Sequence, residues 1–272
     1  MKKRTIIILA CLLCASLTSC ASEPVQAPED SKTVTVFKEI DNFGITAEKE
    51  LKSERKIQLA EKQQRDAMAA LLSTEGLPEV KATLTKDDGN LLVLVNKEYT
   101  VSKNYTPTDL VSIDGSLTTN QGLSMKKEAY DAYLKMLKDA KAKGFDLYIC
   151  SAYRSYNTQL SLLKSSINTY GRKVALTRTA YPGRSEHHTG LAIDITSKSM
   201  GWGIKQNFTD YPDGKWLNDN CQNYGFIIRY PKGKESITGY IYEPWHLRYV
   251  GVDVAKEITS KGITFEEYLG KA

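Results

Sequence analysis

The three histidines of this chain fall in two short polar runs, and any fold the chain adopts has to account for both. The first run is Ser185-Glu186-His187-His188-Thr189-Gly190-Leu191-Ala192-Ile193-Asp194, and the second is Glu243-Pro244-Trp245-His246. Asp194 stands inside an apolar strand pattern, Ile193-Asp194-Ile195, where an acid is costly unless it is paired, hydrogen-bonded or metal-bound. Together the runs supply two candidate imidazole ligands, one candidate carboxylate ligand and a further carboxylate close by. That is the inventory of a catalytic zinc site with a fourth position left for water.

His187 and His188 are adjacent, so on an extended chain they point opposite ways and one of them is the ligand. His187 lies seven residues before Asp194, and a turn at Gly190 can bring the two to one metal. The bland alternative is a buried aspartate that caps a loop, with His187 on the surface. Glu243 and His246 are three apart, which strict strand alternation would send to opposite faces, so a turn must hold them together. His246 then binds the metal. Glu243 takes a proton from water and delivers it to a leaving amine, with direct ligation by Glu243 as the competing assignment. Trp245 packs or walls the pocket.

The first residues bear on compartment. Lys2, Lys3 and Arg4 precede a nearly apolar run from Ile6 to Leu17, closed by Leu17-Thr18-Ser19-Cys20. A segment this short with these flanks reads as a secretion signal over residues 1–20, with Cys20 the lipidated first residue of the mature protein. The expected location is extracytoplasmic, lipid-anchored to a bacterial membrane. The formal charge of +5 falls to about +2 once the three signal cations are left out, which gives no basis for nucleic-acid binding and makes a nuclease a poor reading. Of five cysteines, Cys150 and Cys221 remain after the signal and Cys20. They are expected to be unpaired, although one disulfide is the alternative.

Residues 21–45, with Pro24, Pro28 and several acids, read as a flexible tether. A pattern dense in Glu, Lys, Gln and Ala predicts a helix from about Thr46 to Leu72, inside a helical spacer and linker over 46–88. The catalytic domain is placed at 89–272. Within it, Leu91–Val95 is a strand or a short buried segment, and Met125–Lys143 is a helix closed by Gly144. Leu147–Ile149 is a strand leading to Arg154, and Asn157–Tyr170 is a helix. Leu191–Ile195 and Phe226–Tyr230 are strands, and Trp216–Tyr224 is a short helix ended by Gly225. Short strands mixed with helices indicate an α+β fold, and a monomer is expected.

The pair Ser-x-His-x-x-Gly-x-Ala-x-Asp and Glu-x-x-His, with Ser151-Ala152-Tyr153-Arg154-Ser155 upstream, resembles the VanY-type D-alanyl-D-alanine carboxypeptidases of the M15 peptidase family. The likeness runs over about residues 89–255. It implies a small zinc peptidase domain, with a short antiparallel sheet flanked by helices. It also implies that His187, Asp194 and His246 bind Zn2+, that Glu243 is the general base, and that Arg154 holds the substrate's terminal carboxylate. Ser155, Gln159 and Ser185 would line the same pocket. A guanidinium fork suits that carboxylate chemically. The implied reaction is removal of the terminal D-alanine from peptidoglycan stem peptides, as a D,D-carboxypeptidase. The alternatives are an L,D-carboxypeptidase on tetrapeptide stems, an endopeptidase cutting cross-links, or a non-catalytic cell-wall-binding lipoprotein with a structural metal. His188 stands where close relatives are expected to carry glutamine, and is expected in a supporting or exposed position, with donation to substrate as the alternative.

Overall fold

A run of good helix formers with no proline from Ser31 to Leu71 can propagate one helix over its whole length, and in the computed structural model it does: α1 covers Ser31–Leu71. The structure describes residues 31–272, with side chains from residue 48 onward. The expected signal segment, Cys20 and residues 21–30 of the expected tether lie outside the described residues. Residues 31–45 of that tether are helical, so the helix starts at Ser31 instead of about Thr46. Gly44 is the weak position there, and its cost of about 1 kcal/mol is spread over a long helix. The chain divides into two units, Met1–Gln63 and Gln64–Ala272. In the first, the described side chains are all exposed, Leu51, Ile57 and Leu59 included.

The second unit is built on one antiparallel sheet of four short strands: β1 Tyr148–Ser151, β2 Ala192–Thr196, β3 Phe226–Ile228 and β4 His246–Tyr249, in the order β1-β2-β4-β3. Its main helices are α2 Lys127–Ala142, α3 Tyr156–Tyr170, α4 Pro212–Asn220 and α5 Val252–Lys261. Two small strand pairs complete it: Ala82–Leu84 with Tyr99–Val101, and Leu110–Ser112 with Ser124–Lys126. This is the α+β arrangement expected from the pattern of short strands and helices.

Side-chain alternation gives the sheet two different faces. Ile193 and Ile195 of β2 and Leu247 and Tyr249 of β4 join Ala129, Tyr133, Met136, Leu137 and Ala140 of α2 in one buried cluster. The α2 residues recur at three and four, so a single stripe of the helix covers that face. Each large apolar side chain so buried contributes about 1.5–3 kcal/mol. The other face carries Asp194 and Thr196 from β2 and His246 and Arg248 from β4, all buried. A buried polar face is tolerated only if its groups are partnered, and those partners make the site.

Leu91–Val95 is not a strand but an irregular segment, half-buried from Leu91 to Leu94 and buried at Val95. Its Leu91 and Val93 carbonyls accept hydrogen bonds from Arg248 Nη2, each at 2.8 Å, so they are satisfied without a ladder. The helix expected at Trp216–Tyr224 begins earlier, because Pro212 suits the first turn. It ends in a 3-10 turn, Cys221–Tyr224, at Gly225 in the left-handed region. Cys150 and Cys221 are both free, as expected.

Gly190, at φ 70°, ends the 3-10 turn Glu186–Thr189 and starts β2. A Cβ there would lie 2.9 Å from Leu110 Cδ2 and 3.3 Å from the Lys126 backbone nitrogen. Gly190→Ala is therefore expected to lose about 1–2 kcal/mol to the left-handed backbone alone, with repacking added. A thermal melt followed by circular dichroism should show a lowered Tm, and an unchanged midpoint would refute this account of the turn.

Candidate metal centre and active-site cleft

Strand register brings the two polar runs together. Asp194 of β2 pairs with His246 of β4 on one side and with Ser151 of β1 on the other. Between Ile149 and Ser151 the β1 register shifts, leaving Cys150 as an extra residue, a bulge that re-aims the chain toward Arg154. The Glu186–Thr189 turn carries His187 to the same place. Its Nδ1 donates to the Ala152 carbonyl at 2.7 Å, which leaves Nε2 with a free lone pair 3.3 Å from Asp194 Oδ2. His246 Nδ1 lies 3.0 Å from Asp194 Oδ1. One ligand atom from each of His187, Asp194 and His246 lies within 4.8 Å of the others. The turn required between Glu243 and His246 is present, with the His246 N–H donating to the Glu243 carbonyl at 3.1 Å. It sets Glu243 Oε2 4.0 Å from His246 Nδ1.

The electrostatics of this cluster call for positive charge. Burial opposes ionisation of Asp194, but His187, His246 and Arg154 outweigh it and hold the carboxyl well below the usual carboxylate range. Burial, with Arg154 nearby, pushes the His187 imidazole down to about 4, so it is neutral and able to ligate. His246 is drawn up to about 9 against its burial by Asp194 and Glu186. Burial pushes the Glu243 carboxyl up to about 8, with Asp194 reinforcing and His246 opposing. A cation at the cluster would answer the same demand and lower Glu243. Two imidazole nitrogens and one carboxylate are a donor set that suits zinc.

Beneath the cluster lies a buried charge network. Glu186 Oε1 accepts from Arg229 Nε at 2.7 Å and from Arg248 Nη1 at 2.8 Å. Arg229 also forks onto Glu266, at 2.9 and 2.6 Å. Glu186 and both arginines are essentially inaccessible to solvent. None of these four was singled out from sequence. The signal was present: Arg229 follows Ile227-Ile228 and Arg248 follows Leu247, charges in apolar strands that need partners for the reason Asp194 does.

The cleft above the cluster has a volume of about 1010 Å³ and is lined by Arg154, Ser185, His187, Asp194, Glu243 and His246, with Trp202 and Ile204 at an exposed rim. Arg154 is held by three acceptors: Ser151 Oγ at 2.9 Å, Gln159 Oε1 at 3.3 Å and Asp194 Oδ2 at 2.7 Å. Two expected pocket residues do other work. Ser155 caps α3, its Oγ accepting from Thr158 N. Gln159 is fully buried and bridges Arg154 to the Ala180 carbonyl. Gln159 is turned inward by α3, whereas Ser155 stays half-exposed at the helix start, and neither lines the cleft. His188 is buried, its Nδ1 donating to the Arg154 carbonyl at 2.7 Å and its Nε2 accepting from Gly183 N at 3.0 Å. It supports the arginine's backbone and does not face the cleft. Trp245 both joins the core and lines the cleft.

Comparison with known proteins finds likeness over this unit. The family model for VanY, D-alanyl-D-alanine carboxypeptidase, matches residues 122–252. YodJ of Bacillus subtilis (strain 168), a candidate carboxypeptidase by name, is 47% identical over 185 residues, which are 67% of this chain and 68% of that protein. Among solved structures, that of LdcB, described as an LD-carboxypeptidase and for its peptidoglycan recognition, has a TM-score of 0.64 at 45% identity, covering 70% of this chain and 91% of the other. A variant of the vancomycin-resistance D,D-pentapeptidase VanY in complex with Zn(II) has a TM-score of 0.57 at 30% identity, covering 65% and 98%.

His188→Ala would leave the Arg154 carbonyl and the Gly183 N–H without their partner, at about 1–3 kcal/mol for each buried group left unmade. Its melting midpoint should fall while zinc titration still gives one site per chain. Loss of zinc binding with an unchanged midpoint would instead make His188 a ligand.

Proposed function

Because the chain belongs to the VanY family of D-alanyl-D-alanine carboxypeptidases, we propose that it is a zinc-dependent carboxypeptidase that removes the terminal D-alanine from peptidoglycan stem peptides. The observation that carries this reading is the convergence, at the floor of one cleft, of three candidate metal donors, a spare buried carboxylate and an anchored guanidinium.

Each residue has a task that its geometry suits. Arg154 has five N–H donors and three of them have partners, which leaves one on each terminal nitrogen. Arg154 lines the cleft, and these two donors would hold the substrate's terminal carboxylate, setting the scissile bond over the cluster. His187 through Nε2, Asp194 through its carboxylate and His246 through Nδ1 would hold zinc. When bound, zinc supplies a Lewis acid that acidifies water and polarises the scissile carbonyl. Glu243, on the same side as the donors and too far from His246 for a hydrogen bond, is free to take a proton from water and pass it to the departing amine. Ser185 lines the same cleft beside His187.

Of the two bonds the fold can address, the greater likeness to LdcB (45% identity, TM-score 0.64) than to the D,D-pentapeptidase (30%, 0.57) favours L,D cleavage of tetrapeptide stems over the D,D cleavage implied by the motifs. A location outside the cytoplasm, anchored by lipid on Cys20, is part of the proposal and rests on the Lys2–Arg4 head and the apolar run ending at Cys20.

The test uses purified protein with pentapeptide and tetrapeptide stems, with and without chelator, and products followed by mass. Loss of one D-alanine from the tetrapeptide is expected, abolished by chelator and restored by zinc. Cleavage of the pentapeptide alone would make the enzyme D,D-specific, and cleavage of neither would sink the carboxypeptidase reading. Glu243→Gln should keep zinc and lose about 10²–10⁴ in kcat, whereas His246→Ala should lose both zinc and turnover. Gln159→Ala frees Arg154 on one side, and should raise KM more than it lowers kcat.

A further inference from the structure

Two buried polar atoms beside the candidate metal centre have no hydrogen-bond partner, and they face each other: Glu186 Oε2 and His246 Nε2, 3.6 Å apart. A third such atom among the described residues, Tyr105 Oη, is not in this cluster. Orphaned buried groups are rare and costly, so a pair placed face to face calls for a reason. Glu186 has no freedom to turn away. Its Oε1 is pinned by two guanidinium groups, and one of these is itself clamped by Glu266, which also accepts from Asn96 Nδ2 at 3.1 Å. Arg248 is pinned in turn by the Leu91 and Val93 carbonyls. Four buried side chains thus fix one carboxylate oxygen in front of one imidazole nitrogen.

On the metallopeptidase reading above, we infer that Glu186 is a positioning residue for the metal centre: it keeps the His246 proton on Nε2, so that Nδ1 presents its lone pair to the metal beside Asp194 and His187 Nε2. A histidine ligand needs its other nitrogen held by an acceptor to fix tautomer and ring angle. For His187 that acceptor is the Ala152 carbonyl at 2.7 Å. For His246 it is Glu186, reached across the sheet's polar face. The arginine network is then the device that holds this acceptor in place as well as a means of neutralising buried charge. The ordinary alternative is that Glu186 merely balances Arg229 and Arg248.

Glu266 separates the two accounts, because it belongs to the same network and carries the same charge but does not touch His246. Zinc affinity is measured by competition with a chelating dye, together with the d–d spectrum of the Co(II)-loaded protein and a thermal melt. Glu186→Gln should weaken zinc binding by about 10–100-fold and change the cobalt spectrum. Glu266→Gln should lower the melting midpoint and weaken zinc binding far less than Glu186→Gln does, since it acts on Glu186 only through Arg229. Equal zinc affinity in parent and Glu186→Gln would overturn the inference, as would equal weakening in the two variants. Should Glu186→Gln not fold, imidazole nitrogen NMR on the zinc-loaded parent decides: Nε2–H on His246 is expected, and Nδ1–H overturns the assignment. A parent protein that binds no zinc would bring down the metallopeptidase reading itself, whereas zinc binding with an indifferent Glu186→Gln removes only the role of Glu186.

Discussion

Asp194 places an anion on a buried sheet face at the floor of the cleft, and the second unit is arranged around compensating it. Burial alone would raise its pKa and drive it neutral. Three neighbours offset this: Arg154, whose Nη2 donates at 2.7 Å, and the His187 and His246 rings from two different segments. None of these contacts can form until β1, β2 and β4 are in register, because Ser151, Asp194 and His246 are cross-strand partners in one row. A slip of one residue would turn Asp194 into the apolar cluster against α2 and Ile193 into the cleft. Correct pairing and assembly of the cluster are therefore the same event.

A second layer of charge lies below the first. Glu186 joins Arg229 and Arg248, and Arg229 joins Glu266, with burial near zero exposure throughout. Such networks seldom add net stability over apolar packing, but breaking one by removing a single partner costs about 3–5 kcal/mol. Their use here is geometric. They tie the segment Glu186–Thr189, strand β4, the tail after β3 and the C-terminal turn at Phe265–Tyr268 to one another by directional bonds. The apolar cluster on the opposite face supplies cohesion without direction, so the two faces divide packing from positioning.

Much of the site was legible from residues. An acid in an apolar strand, two histidine runs and a Glu-x-x-His that required a turn led to His187, Asp194, His246 and Glu243. These four meet in the structure, with the turn in place. The α2 stripe and the strand at Ala192–Thr196 followed from periodicity. Ser155 and Gln159 lie near the pocket without lining the cleft, because motif position says which residues are close to a pocket, not which of them reach its surface. Glu186 was passed over although it adjoins His187, since a glutamate between a serine and a histidine carries no signal until its burial is known.

The sequence by itself determined the chemistry available to this protein: donor types, their local spacing, the helical and strand periods and the glycine at residue 190 that the turn needs. These are local properties, set by side-chain identity and by backbone sterics within a few residues. Tertiary structure decided which nitrogen of each histidine faces the cluster, which carboxylate stands beside it, and which arginine lines the cleft. Those outcomes depend on contacts between residues as far apart as Glu186 and Arg248 or Asn96 and Glu266. Burial turns such contacts from weak preferences into requirements, because an unpartnered charge away from water has no cheap alternative.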